Sequence, residues 1–147
     1  MKICVIIPTL NEKNNISKII YKIKKTKIKL DILFIDDSSS DGSQNEIKKI
    51  ISKYKNIKYL FRKNKFGIGS AHKDGISFCY KKGYDLIITM DCDGTHDPKY
   101  FPKLISNSKK YDYVLTSRFK KKKFNPGLAF IKKTSYIHKT YSGKFAS

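Results

Sequence analysis

The amino-acid sequence predicts an α/β domain built on an open, mostly parallel sheet with helices on both faces. Three observations predict it. Short apolar, β-branched runs recur along the chain and read as continuous rather than alternating, the pattern of strands covered on both faces. The segments between them place apolar residues at helical spacing, as crossover helices require. The acids and glycines gather just past the carboxyl ends of those runs, where open α/β sheets bind ligands.

Residues 3–7 read as the first strand, and Ile16, Ile19, Ile20 and Ile23 then mark one face of a helix. Residues 32–35 give a second strand, followed by a helix over 46–54 with Ile47, Ile50 and Ile51 inward. A third strand over 57–61 leads to a helix over 71–80 that turns Ile76 and Cys79 inward. The fourth strand covers 86–90, a helix spans 100–108, and a fifth strand covers 113–115. Composition then breaks at a basic run over 120–123, followed by Asn125, Pro126 and Gly127. Beyond it Ile137, Tyr141 and Phe145 recur among Lys132, Lys133, Lys139 and Lys144, which predicts a basic amphipathic helix.

A chain of 147 residues is one ordinary domain, able to bury roughly two-thirds of its unfolded surface. Its 32 Lys+Arg against 12 Asp+Glu give a formal charge of +20, which points to an anionic partner or to a compositional bias towards Lys, Ile, Asn and Tyr. Cys4, Cys79 and Cys92 form no C-x-x-C pair, so neither a disulfide framework nor a zinc site is indicated and a reducing cytosol fits. No leader-like apolar region opens the chain, and no stretch approaches the roughly 20 apolar residues of a membrane span. The expectation is a cytoplasmic protein, with peripheral contact at the cytoplasmic face of an anionic membrane.

The strongest chemical signal is Asp91-Cys92-Asp93 after an apolar strand. Two carboxylates leaving a sheet together suit a hard cation such as Mg²⁺ or Mn²⁺, which keeps positions open for phosphate. The same pattern also opens turns by side-chain capping. Asp36 and Asp37 end the second strand, where a carboxylate can accept from a base or ribose. Asp41-Gly42 reads as a turn with Ser43 as helix cap, and a calcium loop starting at Asp37 fails because its twelfth position is Lys48. The first strand ends in Pro8-Thr9-Leu10-Asn11-Glu12 rather than G-x-G-x-x-G, which removes the main support for a redox dinucleotide. Gly67-Ile68-Gly69 reads as a tight turn that brings backbone near the ligand. His96 lies beside the acid pair, and His72 and His138 receive no role. Arg118, one of two arginines with Arg62, follows the last strand and suits phosphate as well as it suits plain solvent.

Taken together, residues 5–12, 36–43, 67–71, 90–94 and 116–118 resemble the family 2 glycosyltransferases with the GT-A, Rossmann-like fold. Within them the similarity is to dolichol-phosphate or polyprenol-phosphate mannosyltransferases, whose Asp-x-Asp is followed by His and Pro, here His96 and Pro98. The match covers residues 1–119, which the resemblance makes a nucleotide-sugar-binding core. Residues 120–147 become a basic linker with a partial acceptor-side, amphipathic segment, so the carboxyl-terminal part is expected to be truncated.

The resemblance implies that Pro8, Leu10, Glu12, Asp36 and Asp37 bind the nucleotide. It gives Asp91 and Asp93 to metal and diphosphate, and Arg118 to a phosphate, with Asp93 and Arg118 acting at the reacting centre. Thr95 stands where the family often has Gln and becomes the third metal ligand. The donor expected is GDP-mannose or UDP-glucose, and the acceptor polyprenyl phosphate or another group. A basic nucleic-acid-binding module is the rival reading, but no RNA or DNA motif is present and no specific nucleic acid is expected. An inactive fragment that binds nucleotide without transfer is the other alternative.

Overall fold

Parallel pairing of the buried β-branched runs sets the architecture. The computed structural model describes residues 1–115 and 136–139. In chain order the elements are β1 (Ile3–Thr9), α1 (Lys13–Lys25), β2 (Asp31–Asp36), α2 (Ser43–Ile51), β3 (Ile57–Phe61), α3 (Ile68–Lys81), β4 (Leu86–Thr89), a 3₁₀ turn (Pro98–Tyr100), α4 (Phe101–Asn107), β5 (Tyr113–Leu115) and β6 (Tyr136–Lys139). The strands lie in the order β3-β2-β1-β4-β6-β5. The pairs β1–β2, β1–β4 and β2–β3 are parallel, whereas β6 runs antiparallel to both β4 and β5. This is the open, mostly parallel sheet expected.

Alternation along each strand divides the core in two. Ile3, Val5 and Ile7 of β1, Ile32 and Phe34 of β2, and Leu86 and Ile88 of β4 face α1, α2 and α4, meeting Ile16, Ile19, Ile47, Phe101 and Leu104. The intervening Cys4, Ile6, Leu33, Ile35 and Ile87 face α3 through Ala71 and Cys79. All four inward isoleucines expected on α1 are buried. On α3 Cys79 is buried, while Ile76 is partly buried against the same cluster. Helices α2 and α3 begin at Ser43 and Ile68, earlier than the apolar spacing alone indicates, because their first turns carry polar or glycine residues.

Two expectations change. Gly42, with φ +92°, caps α2, so Ser43 is its first helical residue. Residues 136–139 form β6, not the expected amphipathic helix at Ile137. The reason is tertiary: β6 fills the space between β4 and β5 by ladder bonds to both, and such pairing overrides a short helical periodicity.

α3 lies close against the sheet at Gly75, where an added Cβ would stand 2.5 Å from Ile35 Cδ1 and 2.8 Å from Ile6 Cγ2. Gly69, in the first turn, has nothing within 4 Å. Gly75→Ala should therefore lower stability by about 1–2 kcal/mol, overpacking outweighing the gain in helix propensity. Gly69→Ala should raise it by up to about 1 kcal/mol in the ligand-free protein. Urea denaturation of the two variants checks the opposite signs.

A polar tie closes the opposite, amino-terminal end of the sheet. Tyr84, almost wholly buried, donates its hydroxyl to Asp31, and Lys58 Nζ donates to Asp31 Oδ2 at 2.9 Å. Burial pushes the Asp31 carboxyl up, but the bonds from Tyr84 and Lys58 and the Lys58 charge outweigh it and hold Asp31 below its ordinary 3.8. A depressed carboxylate contributes stability that is complete above the unfolded value and is lost as pH falls through the folded one. Tyr84→Phe should cost about 1–2 kcal/mol at neutral pH. Below pH 3.8 its stability should fall less steeply than that of the wild type, as unfolding followed against pH will show.

Candidate active site at the carboxyl edge of the sheet

The turn after β1 is held by the loop after β2, which explains the run of serines and aspartates there. Amides in a turn and in the first residues of a helix lack local partners, and here side chains of the next loop supply them at Asn11, Glu12 and Lys13. Asn11 N–H donates to Ser39 Oγ at 2.9 Å, Glu12 N–H to Ser43 Oγ at 2.9 Å and Lys13 N–H to Asp41 Oδ2 at 3.0 Å. Asn11 takes a left-handed φ of 55° to make the turn and accepts the Ser40 amide on Oδ1. Asp41 also accepts from the amide and hydroxyl of Ser43, and these bonds, the Ser43 hydroxyl first, hold its carboxyl below the usual range. The segment from Pro8 to Glu12 is thereby fixed as one wall of a cavity of about 240 Å³.

Asp36 and Asp37 separate by the alternation of β2. Asp36 is fully buried and accepts from Ser39 N–H and from Gln44 of α2 on Oδ1, while its Oδ2 meets no partner among the described residues. It does not line the cavity. Asp37 points to the α3 side and does line it. Both its oxygens are engaged by protein: Phe66 N–H at 3.0 Å, Gly67 N–H at 2.8 Å and Arg62 Nη1 at 3.0 Å. Arg62 also donates to the Gly67 carbonyl and the Ser70 hydroxyl, pairs with Asp74 at 3.3 Å and lies under the Phe66 ring. Gly67 has φ +83°, its amide is one of the donors to Asp37, and Gly67 and Ile68 themselves line the cavity beside it.

The far wall comes from β4. Met90 N–H makes the last bond to β1, at Ile6 O, 3.1 Å. Past it, Cys92 packs into the core facing α1 and α4, while Asp91 and Asp93 remain partly exposed and line the cavity. Burial first, then the charges of Glu12, Asp93 and Asp91, push the Cys92 thiol up to about 12, so it is an inert neutral group. Asp93 Oδ1 accepts from the amide and hydroxyl of Thr95, at 3.0 and 2.6 Å, around Gly94 with φ +80°. Thr95, expected as a third metal ligand, is thus turned towards Asp93 and is not part of the cavity lining. Asp91 N–H donates to Nδ1 of buried His96 at 2.9 Å. Burial lowers the His72 pKa from its ordinary 6.5, partly offset by the nearby Asp91 charge.

The cavity therefore brings together Pro8, Leu10, Glu12, Asp37, Asp91 and Asp93 and leaves out Asp36 and Thr95. Arg118 lies outside the described residues. Sequence reading missed Arg62, although it had the same distinguishing mark as Arg118, an arginine placed just past a strand in a lysine-rich chain. It read Asp41 and Ser43 as a local turn and cap and missed that, with Ser39, they bind amides of the distant β1–α1 turn. Among the described residues no group of three or more His, Cys, Asp and Glu side chains could hold a metal by itself. Two carboxylates on one wall do fit Mg²⁺ or Mn²⁺, hard cations bound through one or two carboxylates with substrate phosphates completing the shell.

Solved structures share the α/β fold of this chain. It superimposes on Staphylococcus aureus TarS (residues 1–349, in complex with UDP-GlcNAc) with a TM-score of 0.63 at 18% identity, over 78% of this chain and 33% of that one. The mannosyltransferase PcManGT of Pyrobaculum calidifontis, in complex with GDP-Man and Mn²⁺, gives 0.54 at 18% identity, over 63% and 27%. The fold is GT-A. The model of glycosyl transferase family 2 matches residues 4–144, and the chain belongs to that family. An undecaprenyl-phosphate mannosyltransferase of Micrococcus luteus is 30% identical over 118 residues, 80% of this chain and 49% of its own length. The chain thus spans about half the length of that curated relative.

The Arg62–Asp37 pair is buried on both sides, with side-chain exposures of 8% and 7%. Removing one partner of such a pair leaves an uncompensated charge, so Arg62→Ala should cost about 3–5 kcal/mol. Asp74→Ala, on a side chain 49% exposed, should cost less than about 1 kcal/mol. Chemical denaturation distinguishes the two.

Proposed function

We propose that the protein is a metal-dependent, inverting hexosyltransferase that moves mannose or glucose from GDP-mannose or UDP-glucose to a polyprenyl phosphate. The observation that carries this reading is that Asp91 and Asp93 share one cavity with the Pro8–Glu12 wall and Asp37. Family membership and the name of the M. luteus relative support it.

In this reading Pro8, Leu10 and Glu12 hold the base and ribose, backed by Asp37, whose carboxylate Arg62 and the Phe66 and Gly67 amides fix in place. Asp91 and Asp93 hold Mg²⁺ or Mn²⁺, which when bound neutralises charge developing on the leaving diphosphate. An oxygen of the acceptor phosphate attacks the anomeric carbon as its bond to the diphosphate breaks, which inverts that centre. The acceptor phosphate is already ionised, so no protein base is required. Arg118 contributes a further phosphate contact. The excess of lysine favours peripheral contact with an anionic membrane, each near-surface Lys being worth about 1 kcal/mol. Among the described residues no helix is long and apolar enough to cross a membrane.

Radiolabelled sugar should pass from GDP-mannose or UDP-glucose to a short-chain polyprenyl phosphate in the presence of Mn²⁺, and chelation should abolish the transfer. Asp91→Asn and Asp93→Asn should each lower turnover by about 10²–10³-fold, the scale of losing one preorganised electrostatic contact. The folded wild-type chain transferring sugar from neither donor would defeat the proposal.

A further inference from the structure

At the end of β4 the chain leaves the sheet, and the amide of Asp91 has no strand to bond. A buried amide without a partner is costly. Here it donates to Nδ1 of His96 at 2.9 Å, five residues on, and closes the whole turn. Inside that closure lies a smaller one, from Asp93 Oδ1 to the Thr95 amide and hydroxyl. The turn is then anchored downstream by buried Pro98 and Phe101.

The imidazole is only 6% exposed. Because Nδ1 accepts, the ring proton of the neutral form is on Nε2. That nitrogen is also buried and meets no hydrogen-bond partner among the described residues. An unsatisfied buried donor is destabilising, and an apolar ring of similar size would escape the penalty. It could not, however, accept the Asp91 amide. Packing alone therefore does not account for a histidine here, whereas the need for an acceptor at the Nδ1 position does.

We propose that His96 is a positioning residue for the metal-binding turn, its Nδ1 fixing the Asp91 peptide so that the Asp91 and Asp93 carboxylates face the same point in the cavity. This rests on the reading that those two acids hold a divalent cation. Asn and Gln substitutions separate the role from simple space-filling, since the side-chain oxygen of Asn falls close to the place of Nδ1 and the amide group of Gln close to that of Nε2.

The experiment measures Mn²⁺ affinity by electron paramagnetic resonance, at saturating GDP or UDP, for the wild type, His96→Asn, His96→Gln and Asp91→Asn, with thermal midpoints for each. His96→Asn should bind Mn²⁺ within about threefold of the wild type, and His96→Gln should lose about 10–100-fold, the range for groups that orient metal ligands. Equal affinity for His96→Gln and the wild type, or equal losses in both His96 variants, would overturn the proposal while leaving the metal site standing. A wild type that binds no Mn²⁺, or binds it as well after Asp91→Asn, would overturn the metal reading and this proposal with it. If the variants do not fold, nitrogen-15 resonances of the wild-type ring decide: a proton on Nε2 supports the role, and a proton on Nδ1 at neutral pH refutes it.

Discussion

The place of β1, hydrogen-bonded between β2 on one side and β4 on the other, is the constraint on which the site depends. The chain leaves β1 through α1 towards β2, yet it enters β4 from α3 on the opposite face. Connections that diverge in this way open a crevice at the carboxyl ends of the central strands. Register then decides what faces it. Ile6 is level with Thr89 and Thr9 with Asp36, so the chain that continues past β4 runs alongside Pro8. Two acids following β4 and a proline-containing strand end are thereby brought to one cavity.

The pleat of the strands explains which acids reach that cavity. Ile32 and Phe34 face α1 and α2, and Asp36 continues the same face and is bound by Gln44 of α2. Leu33 and Ile35 face α3, and Asp37 continues that face. On β4 the same rule sends Met90 and Cys92 into the core facing α1 and leaves Asp91 on the α3 side with Ile87. Of the two neighbouring aspartates at the end of β2, one is therefore bound within the fold and the other borders the cavity, a distinction made by strand parity and not by residue chemistry.

Much of this was legible because the signals are local. The apolar runs of β1 to β4 fix their own strands, and Ile16, Ile19, Ile20 and Ile23 fix the buried face of α1. The pairing of Asp91 with Asp93 in one cavity was also readable, since both follow one strand. What escaped reading depends on partners distant in sequence. Ser39 and Ser43 cap amides of the β1–α1 turn. Arg62 finds Asp37 only after β2 and β3 have paired. β6 escaped for the same reason, because residues 136–139 take their conformation from β4 and β5 and carry no strong pattern of their own.

The acids that line the cavity differ in electrostatic character, and the difference bears on what the cavity can hold. Asp37 is neutralised in place by Arg62, so its wall presents fixed, satisfied polar groups. Glu12 on the Pro8–Glu12 wall and Asp91 and Asp93 on the far wall leave the rest of the lining rich in negative charge, in a chain whose formal charge is +20. A basic protein surface draws polyanions in, but these acids would repel a diphosphate that arrived beside them. The repulsion becomes attraction once a divalent cation lies between, because the ion is then the largest local charge and reverses the sign of the field that the phosphates meet. On the proposed reading, a divalent cation held with the diphosphate is what makes surface and cavity consistent with one another.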